Sequence, residues 1–110
     1  MDRSEIPFLT VAQLSRLIQD REVSPVEATE AYLERIDRVD ARLNSYITVC
    51  RDEALRSARE AEAAIAAGRY LGPLHGVPLA VKDQFYTKGI RTTAGSTILW
   101  DFVPDEDATV

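Results

Sequence analysis

Lys82 is the residue whose placement in this sequence most directly suggests chemistry. It follows the unbroken apolar run "VPLAV" at residues 77–81 and precedes a polar loop rich in glycine and hydroxyl side chains. Burial shifts lysines in general toward the neutral amine, which accepts a proton. Lys82 is therefore a candidate general base. The alternative is an ammonium group that reaches water or pairs with Asp83.

Other catalytic and metal-binding residue types are sparse. His75 is the one histidine, and we interpret it as a turn or hydrogen-bonding residue because no further ligands stand at zinc spacing. Cys50 is the one cysteine, so an internal disulfide is excluded, and we expect a half-buried strand residue in a reducing compartment. The run "TAGS" at residues 93–96 lacks the lysine and spacing of a phosphate-binding loop. We predict neither a metal nor an organic cofactor.

Composition excludes several classes of protein. The chain has 13 basic and 18 acidic residues, a formal charge of -5 and a pI near 4.8. This charge argues against direct nucleic-acid binding by the segment. No apolar run approaches the roughly 20 residues of a membrane span, and the start has no signal-peptide pattern. We expect a soluble, cytoplasmic protein that does not enter membranes, and 110 residues set one small domain as the upper limit.

Three helices are predicted to position these residues. Thr10 with Gln13, and Ser24 with Glu27, form the two capping boxes that open the first and second helices. The third helix ends at Gly68, which we interpret as its left-handed stop. In the second helix an apolar stripe is predicted to face the core, formed by Val26, Leu33, Ile36 and Val39.

Two strands complete the predicted fold, which is α/β. Residues 45–50, "SYITVC", are rich in β-branched and aromatic side chains, and residues 77–81 are typical of a strand covered on both faces. Residues 1–70 are then mainly helical with one short strand, and residues 71–110 form the strand and loop that carry Lys82. Asp107 is predicted to cap a helix that starts at the last three residues.

Three ordered blocks, "GPLHGVPLAVKD", "TKGIRTTAGS" and "FVPDEDATV", resemble the opening part of the amidase signature family. The upstream runs "SPVEATEAYLERID", "LNSYITV" and "AREAEAAIAAG" are similar to the usual N-terminal region of that family, so the resemblance covers nearly the whole chain. It implies the amidase-signature fold, of which residues 1–110 are the N-terminal fragment: helices plus the first strands of a mixed sheet.

The resemblance implies a Ser, cis-Ser, Lys triad that hydrolyses carboxamides, with Lys82 at the position of the lysine. Both serines belong to a Gly- and Ser-rich segment further along the family's sequence, and none of the six serines here lies in such a segment. We therefore expect this fragment to be inactive alone. Gly95 and Ser96 are candidates for lining the substrate pocket, and the alternative for Ser96 is a structural role. The Gln84 side chain, where many members have Asn, affects only local loop contacts.

Two other functions remain open. The amidase-like subunit of glutamyl-tRNA amidotransferase, a relative that passes ammonia from glutamine to a charged tRNA, has similar blocks, whereas "AGS" at residues 94–96 favours the general amidases. A non-catalytic helical interaction module would explain the helices but not "GPLHGVPLAVKD". Expected partners are a small amide substrate, with either a homodimer or an amidotransferase complex. The substrate itself is not encoded in these residues.

Overall fold

The structure is a computed structural model that describes all residues from Met1 to Val110. Its regular elements are helices: a 3-10 helix at Arg3–Phe8, α1 at Val11–Gln19, α2 at Pro25–Leu43 and α3 at Arg51–Ala66. No helix is both long and apolar enough to cross a lipid bilayer.

The chain packs as two compact units. We call Met1–Ser45 together with Arg51–Pro78 the helical unit, and Tyr46–Cys50 together with Leu79–Val110 the loop unit. The loop unit contains Lys82.

The predicted capping boxes are both present. Thr10 accepts a hydrogen bond from the Gln13 amide while the Gln13 side chain accepts from the Thr10 amide, and Ser24 with Glu27 does the same. Each box satisfies two amide donors that a helix start leaves free, which sets where α1 and α2 begin. Gly68, at a φ of 84°, follows α3 as predicted, and its amide donates to the Ile65 carbonyl.

The helical unit has one apolar core. Leu14 and Ile18 of α1 are each 1% exposed, and Ala28 of α2 is fully buried. The members of the core come from all four helices and the turn after α1: Ile6, Leu14, Ile18, Val23, Ala28, Ala31 and Ile65. Small alanines on α2 therefore form much of its buried face, and of the predicted stripe only Leu33 is buried while the rest are half-buried.

Neither predicted strand forms, so the structure corrects this part of the expected α/β fold. Residues 45–50 and 77–81 carry no strand, and the one bridge in the chain joins Thr87 to Ile90. A strand needs a neighbouring strand for its amides and carbonyls, and within residues 1–110 neither segment pairs with one. Leu79 is 86% exposed where we predicted burial on both faces. Cys50 is half-buried but outside any strand.

The helix predicted at the last three residues is also absent. Asp107 instead accepts a hydrogen bond from the Lys88 amide at 2.8 Å. The Ala108 amide donates to the Tyr86 carbonyl at 2.7 Å and the Gly89 amide to the Pro104 carbonyl at 3.0 Å. Residues 86–89 are thus joined to residues 104–108, because these polar groups find partners across the loop unit instead of along a helix.

Candidate active site

Lys82 lies at the start of a tight turn in the loop unit. Its carbonyl accepts hydrogen bonds from the Gln84 amide at 2.8 Å and the Phe85 amide at 3.1 Å. The side chain is exposed, and none of the ion pairs of the chain involves it. The burial that we expected for Lys82 is therefore absent within residues 1–110, because the preceding run has no covering layer there. Pairing with Asp83 is absent as well.

The Asp83 side chain is hydrogen-bonded to Thr93 and not to Lys82. Its Oδ1 accepts from the Thr93 amide at 2.9 Å, and its Oδ2 accepts from the Thr93 hydroxyl. Its backbone carbonyl accepts from the Ala94 amide at 2.6 Å. Residue 83 is therefore bonded three times to residues 93 and 94, which joins the turn after Lys82 to the loop that contains Gly95.

The same bonds favour the ionised form of Asp83. The Thr93 hydroxyl, then the Thr93 amide, stabilise the carboxylate and lower the pKa of Asp83 below its ordinary value, with a smaller contribution from the positive charge of Arg91. Desolvation opposes this shift but is the weaker effect. Asp83 is therefore ionised at neutral pH, and its bonds to Thr93 are charge-assisted.

Gly95 and Ser96 lie in the loop that Asp83 holds. Gly95 has a φ of 70° and Ala94 before it a φ of 50°, so two successive residues adopt the left-handed conformation. The Ser96 hydroxyl accepts from the Ile98 amide at 3.2 Å, and the Ser96 amide donates to the Thr93 carbonyl at 2.9 Å. The hydroxyl and the amide of Ser96 thus support the local turns, which fits a structural role.

His75 lies in the helical unit, where its Nδ1 accepts a hydrogen bond from the Leu71 amide at 3.0 Å. Its ring stacks on Tyr70 with 6.2 Å between centroids. The interpretation of His75 as a turn and hydrogen-bonding residue is confirmed. Three or more His, Cys, Asp or Glu side chains do not come together anywhere in the chain in a way that could hold a metal ion.

The loop unit also has an open pocket, lined by Tyr86, Phe102, Val103, Pro104, Asp105 and Glu106. The rings of Tyr86 and Phe102 form its apolar side, with 5.3 Å between centroids. None of the predicted site residues lines this pocket.

Sequence reasoning missed the bonds between Asp83 and Thr93. The sequence suggests Asp83 first as a partner for its neighbour Lys82, although an aspartate beside a charged residue can equally accept from a distant amide. The run "TTAGS" indicates a turn in which a threonine hydroxyl can bond to nearby backbone, but it does not point to Asp83, which lies ten residues from Thr93.

Comparison with known proteins identifies the family. The amidase family model matches residues 27–110, which include Lys82, Gly95 and Ser96. The chain is 56% identical over 106 residues to a glutamyl-tRNA(Gln) amidotransferase subunit from Geobacter sulfurreducens, covering 96% of this chain and 22% of the relative. A Moorella thermoacetica protein of the same name is 48% identical, again over 96% of this chain and 22% of the relative.

A Mycobacterium bovis protein named as an amidase, AmiD, is 46% identical over 110 residues, which is 100% of this chain and 23% of that protein. The chain thus spans about a fifth of the length of these curated relatives. Because the family match covers well over half of its residues, the chain belongs to the amidase signature family.

Proposed function

We propose that the protein carrying this chain hydrolyses a carboxamide to a carboxylate and ammonia, with Lys82 as the proton acceptor. The observation that carries the proposal is the family match over residues 27–110, a range that includes Lys82. The resemblance of the block "GPLHGVPLAVKD" supports the assignment of Lys82 to the lysine of the triad. The Lys82 side chain has no ion-pair partner in this chain, so it is available to a partner in the longer protein.

In this proposal the two serines of the triad lie outside residues 1–110. The neutral Lys82 amine takes a proton from the bridging serine, which takes one from the second serine as its oxygen attacks the amide carbon. Backbone amides stabilise the oxyanion, ammonia leaves with a returned proton, and water then releases the carboxylate. Residues 1–110 alone hold the base without the nucleophile and have no amidase activity.

The proposal extends to the two apolar segments. Residues 45–50 and 77–81 become strands of a mixed sheet when partner strands of the longer protein are present, since both segments have the composition of strands. Covering residues 77–81 in this way removes the apolar residues that precede Lys82 from water.

Replacement of Lys82 in the full-length protein tests the function. Lys82→Ala removes the proton acceptor, and we expect turnover of a simple amide to fall by at least about 1,000-fold. Lys88→Ala is the matched control, because Lys88 is the other lysine within residues 1–110, is also exposed and lies in the same unit. Lys88→Ala should keep turnover within about twofold.

Thermal melting accompanies both measurements, so that loss of fold is separated from loss of chemistry. Near-normal turnover by a folded Lys82→Ala protein would show that Lys82 is an ordinary surface lysine. Turnover by residues 1–110 alone, above a Lys82→Ala version of the same chain, would place a nucleophile within these residues and contradict the triad.

The amidase-like subunit of a glutamyl-tRNA amidotransferase is the second candidate. The identity of 56% to the Geobacter sulfurreducens protein favours it, whereas the run "AGS" favours a general amidase. The two candidates differ in whether their reaction depends on partner subunits. An amidotransferase subunit should release ammonia from glutamine and amidate glutamyl-tRNA(Gln) only with its partner subunits, whereas a general amidase should hydrolyse amides unaided.

A further inference from the structure

The three bonds between residue 83 and residues 93 and 94 lie next to Lys82 and are not used by the proposed chemistry. We infer that Asp83 and Thr93 form a clamp that positions the backbone of Lys82 against the loop of residues 93–96. This inference rests on the proposed function of Lys82. Asp83 and Thr93 are positioning residues, since neither is required to touch the substrate.

Thr93 is the buried half of the clamp. It is 1% exposed, while Asp83 is half-buried. A hydroxyl and an amide that are removed from water require hydrogen-bond partners, and both are satisfied by the two oxygens of one carboxylate. The position of Thr93 therefore fixes the position and orientation of the Asp83 side chain.

The direction of the hydroxyl bond is also determined. The Thr93 oxygen accepts from the Gly95 amide at 3.3 Å, so its proton is available for the Asp83 carboxylate. One hydroxyl thus links the carboxylate on one side to the left-handed Gly95 on the other. Replacing it by a methyl group leaves the carboxylate oxygen and the Gly95 amide without this partner.

The effect on Lys82 follows from the covalent chain. Asp83 occupies the turn that the Lys82 carbonyl closes by accepting from the Gln84 and Phe85 amides. The Asp83 carbonyl is bonded to the Ala94 amide at the same time, so the peptide units on both sides of Asp83 are held. A base that must be placed within hydrogen-bond reach of a serine depends on such support, because small displacements reduce the rate strongly.

The test compares Thr93→Val with Thr93→Ser in the full-length protein. Valine keeps the shape and the backbone amide but loses the hydroxyl, whereas serine keeps the hydroxyl and loses a methyl group. Hydrogen exchange at the Ala94, Gln84 and Phe85 amides reports the clamp directly. We expect exchange to be about tenfold or more faster in Thr93→Val and close to wild type in Thr93→Ser.

Amide turnover reports the positioning. Thr93→Val should lower kcat by about tenfold or more with KM changed by less than about twofold, and Thr93→Ser should restore most of kcat. Unchanged exchange in Thr93→Val would overturn the inference. Faster exchange with an unchanged kcat would show that the bonds exist but do not position Lys82, and equal losses in both variants would assign the effect to packing of the methyl group.

The outcomes separate this inference from the proposed function. Absence of amidase and amidotransferase activity in the wild-type protein would contradict the proposed function. The exchange rates would still decide whether the clamp holds the Lys82 turn. If the wild-type protein is active and its Thr93→Val variant has the same exchange rates and the same kcat, the clamp inference is contradicted and the proposed function is not.

Discussion

The helical unit and the loop unit are stabilised in different ways. Every buried Ile, Leu, Val and Ala of the core lies in the helical unit. In the loop unit the buried residues include Thr92 and Thr93, while Leu79 and Ile98 are 86% and 92% exposed. Apolar periodicity therefore builds a core only where helices bring the periodic residues together. Individual donors and acceptors determine the arrangement of the loop unit.

The proposed function gives this difference a reason. The helical unit is a scaffold whose stability comes from area removed from water. The loop unit carries the proposed base and exposes the apolar residues that we propose a sheet covers in the longer protein. If this comparison is correct, substitutions in the core should strongly lower the stability of the helical unit. Substitutions of polar residues in the loop unit should change only the hydrogen bonds near them.

The largest effect is expected for Leu14→Ala. Leu14 is 1% exposed, and loss of its side chain leaves a cavity in the core, so the helical unit should lose about 3 to 5 kcal/mol of stability. Leu43→Ala is the matched control, because Leu43 also lies on a helix but is 64% exposed and should change stability by less than about 0.5 kcal/mol. Native-state hydrogen exchange of the α2 amides measures both. Similar values for the two variants would mean that α1 does not form the core.

A smaller effect is expected for Gly76→Ala. A Cβ at this position would lie 2.7 Å from the Pro25 Cγ, and the φ of 84° disfavours any side chain. Gly68→Ala is the control, since Gly68 has the same φ and open space around it. We expect a loss of about 1 kcal/mol for Gly68→Ala and about 2 to 4 kcal/mol for Gly76→Ala, measured by denaturant unfolding. Equal losses would show that the 72–77 turn does not pack on α2.

Removal of the second capping box tests whether local signals hold the helical unit. Ser24→Ala leaves the Glu27 amide without its side-chain acceptor and should cost about 1 kcal/mol. Ser57→Ala is the control and should change stability in the opposite direction. Ser57 is solvent-exposed and lies in the middle of α3, where alanine is the better helix former, so we expect a gain in stability of up to about 0.5 kcal/mol. Denaturation midpoints compare the two, and a loss in both variants would count against the cap as the cause.

The smallest and most local effect is expected from acidification. The pKa of Asp83 is lowered in the folded chain by the Thr93 hydroxyl and amide, so its contribution to stability is complete above the unfolded pKa near 4 and is lost as pH falls through the folded pKa. Exchange-corrected protection of the Thr93 amide should therefore fall only below about pH 4. Asp83→Asn should abolish this pH dependence, and the same dependence in both proteins would assign it to another group.

The three α-helices could be predicted from the sequence, whereas the 3-10 helix at Arg3–Phe8 was not predicted. Both capping boxes, the glycine after α3 and the role of His75 could be predicted, because a cap or a turn depends on residues within a few positions of each other. The family was also readable, since the blocks around Lys82 resemble it and the match over residues 27–110 confirms it. Features that depend on neighbouring residues, and short motifs in a fixed order, can be identified without a tertiary structure.

Contacts between distant residues were decided by the tertiary structure alone. Glu30 and Glu34 of α2 both bind Arg3, which packing brings to the same surface. The partner of Asp83 is ten residues away, and the exposure of Leu79 depends on whether a partner strand lies beside it. In each case the side chain had several possible partners of the correct chemistry, and three-dimensional proximity selected one, because a hydrogen bond or ion pair forms only between groups that the fold brings within about 3 Å.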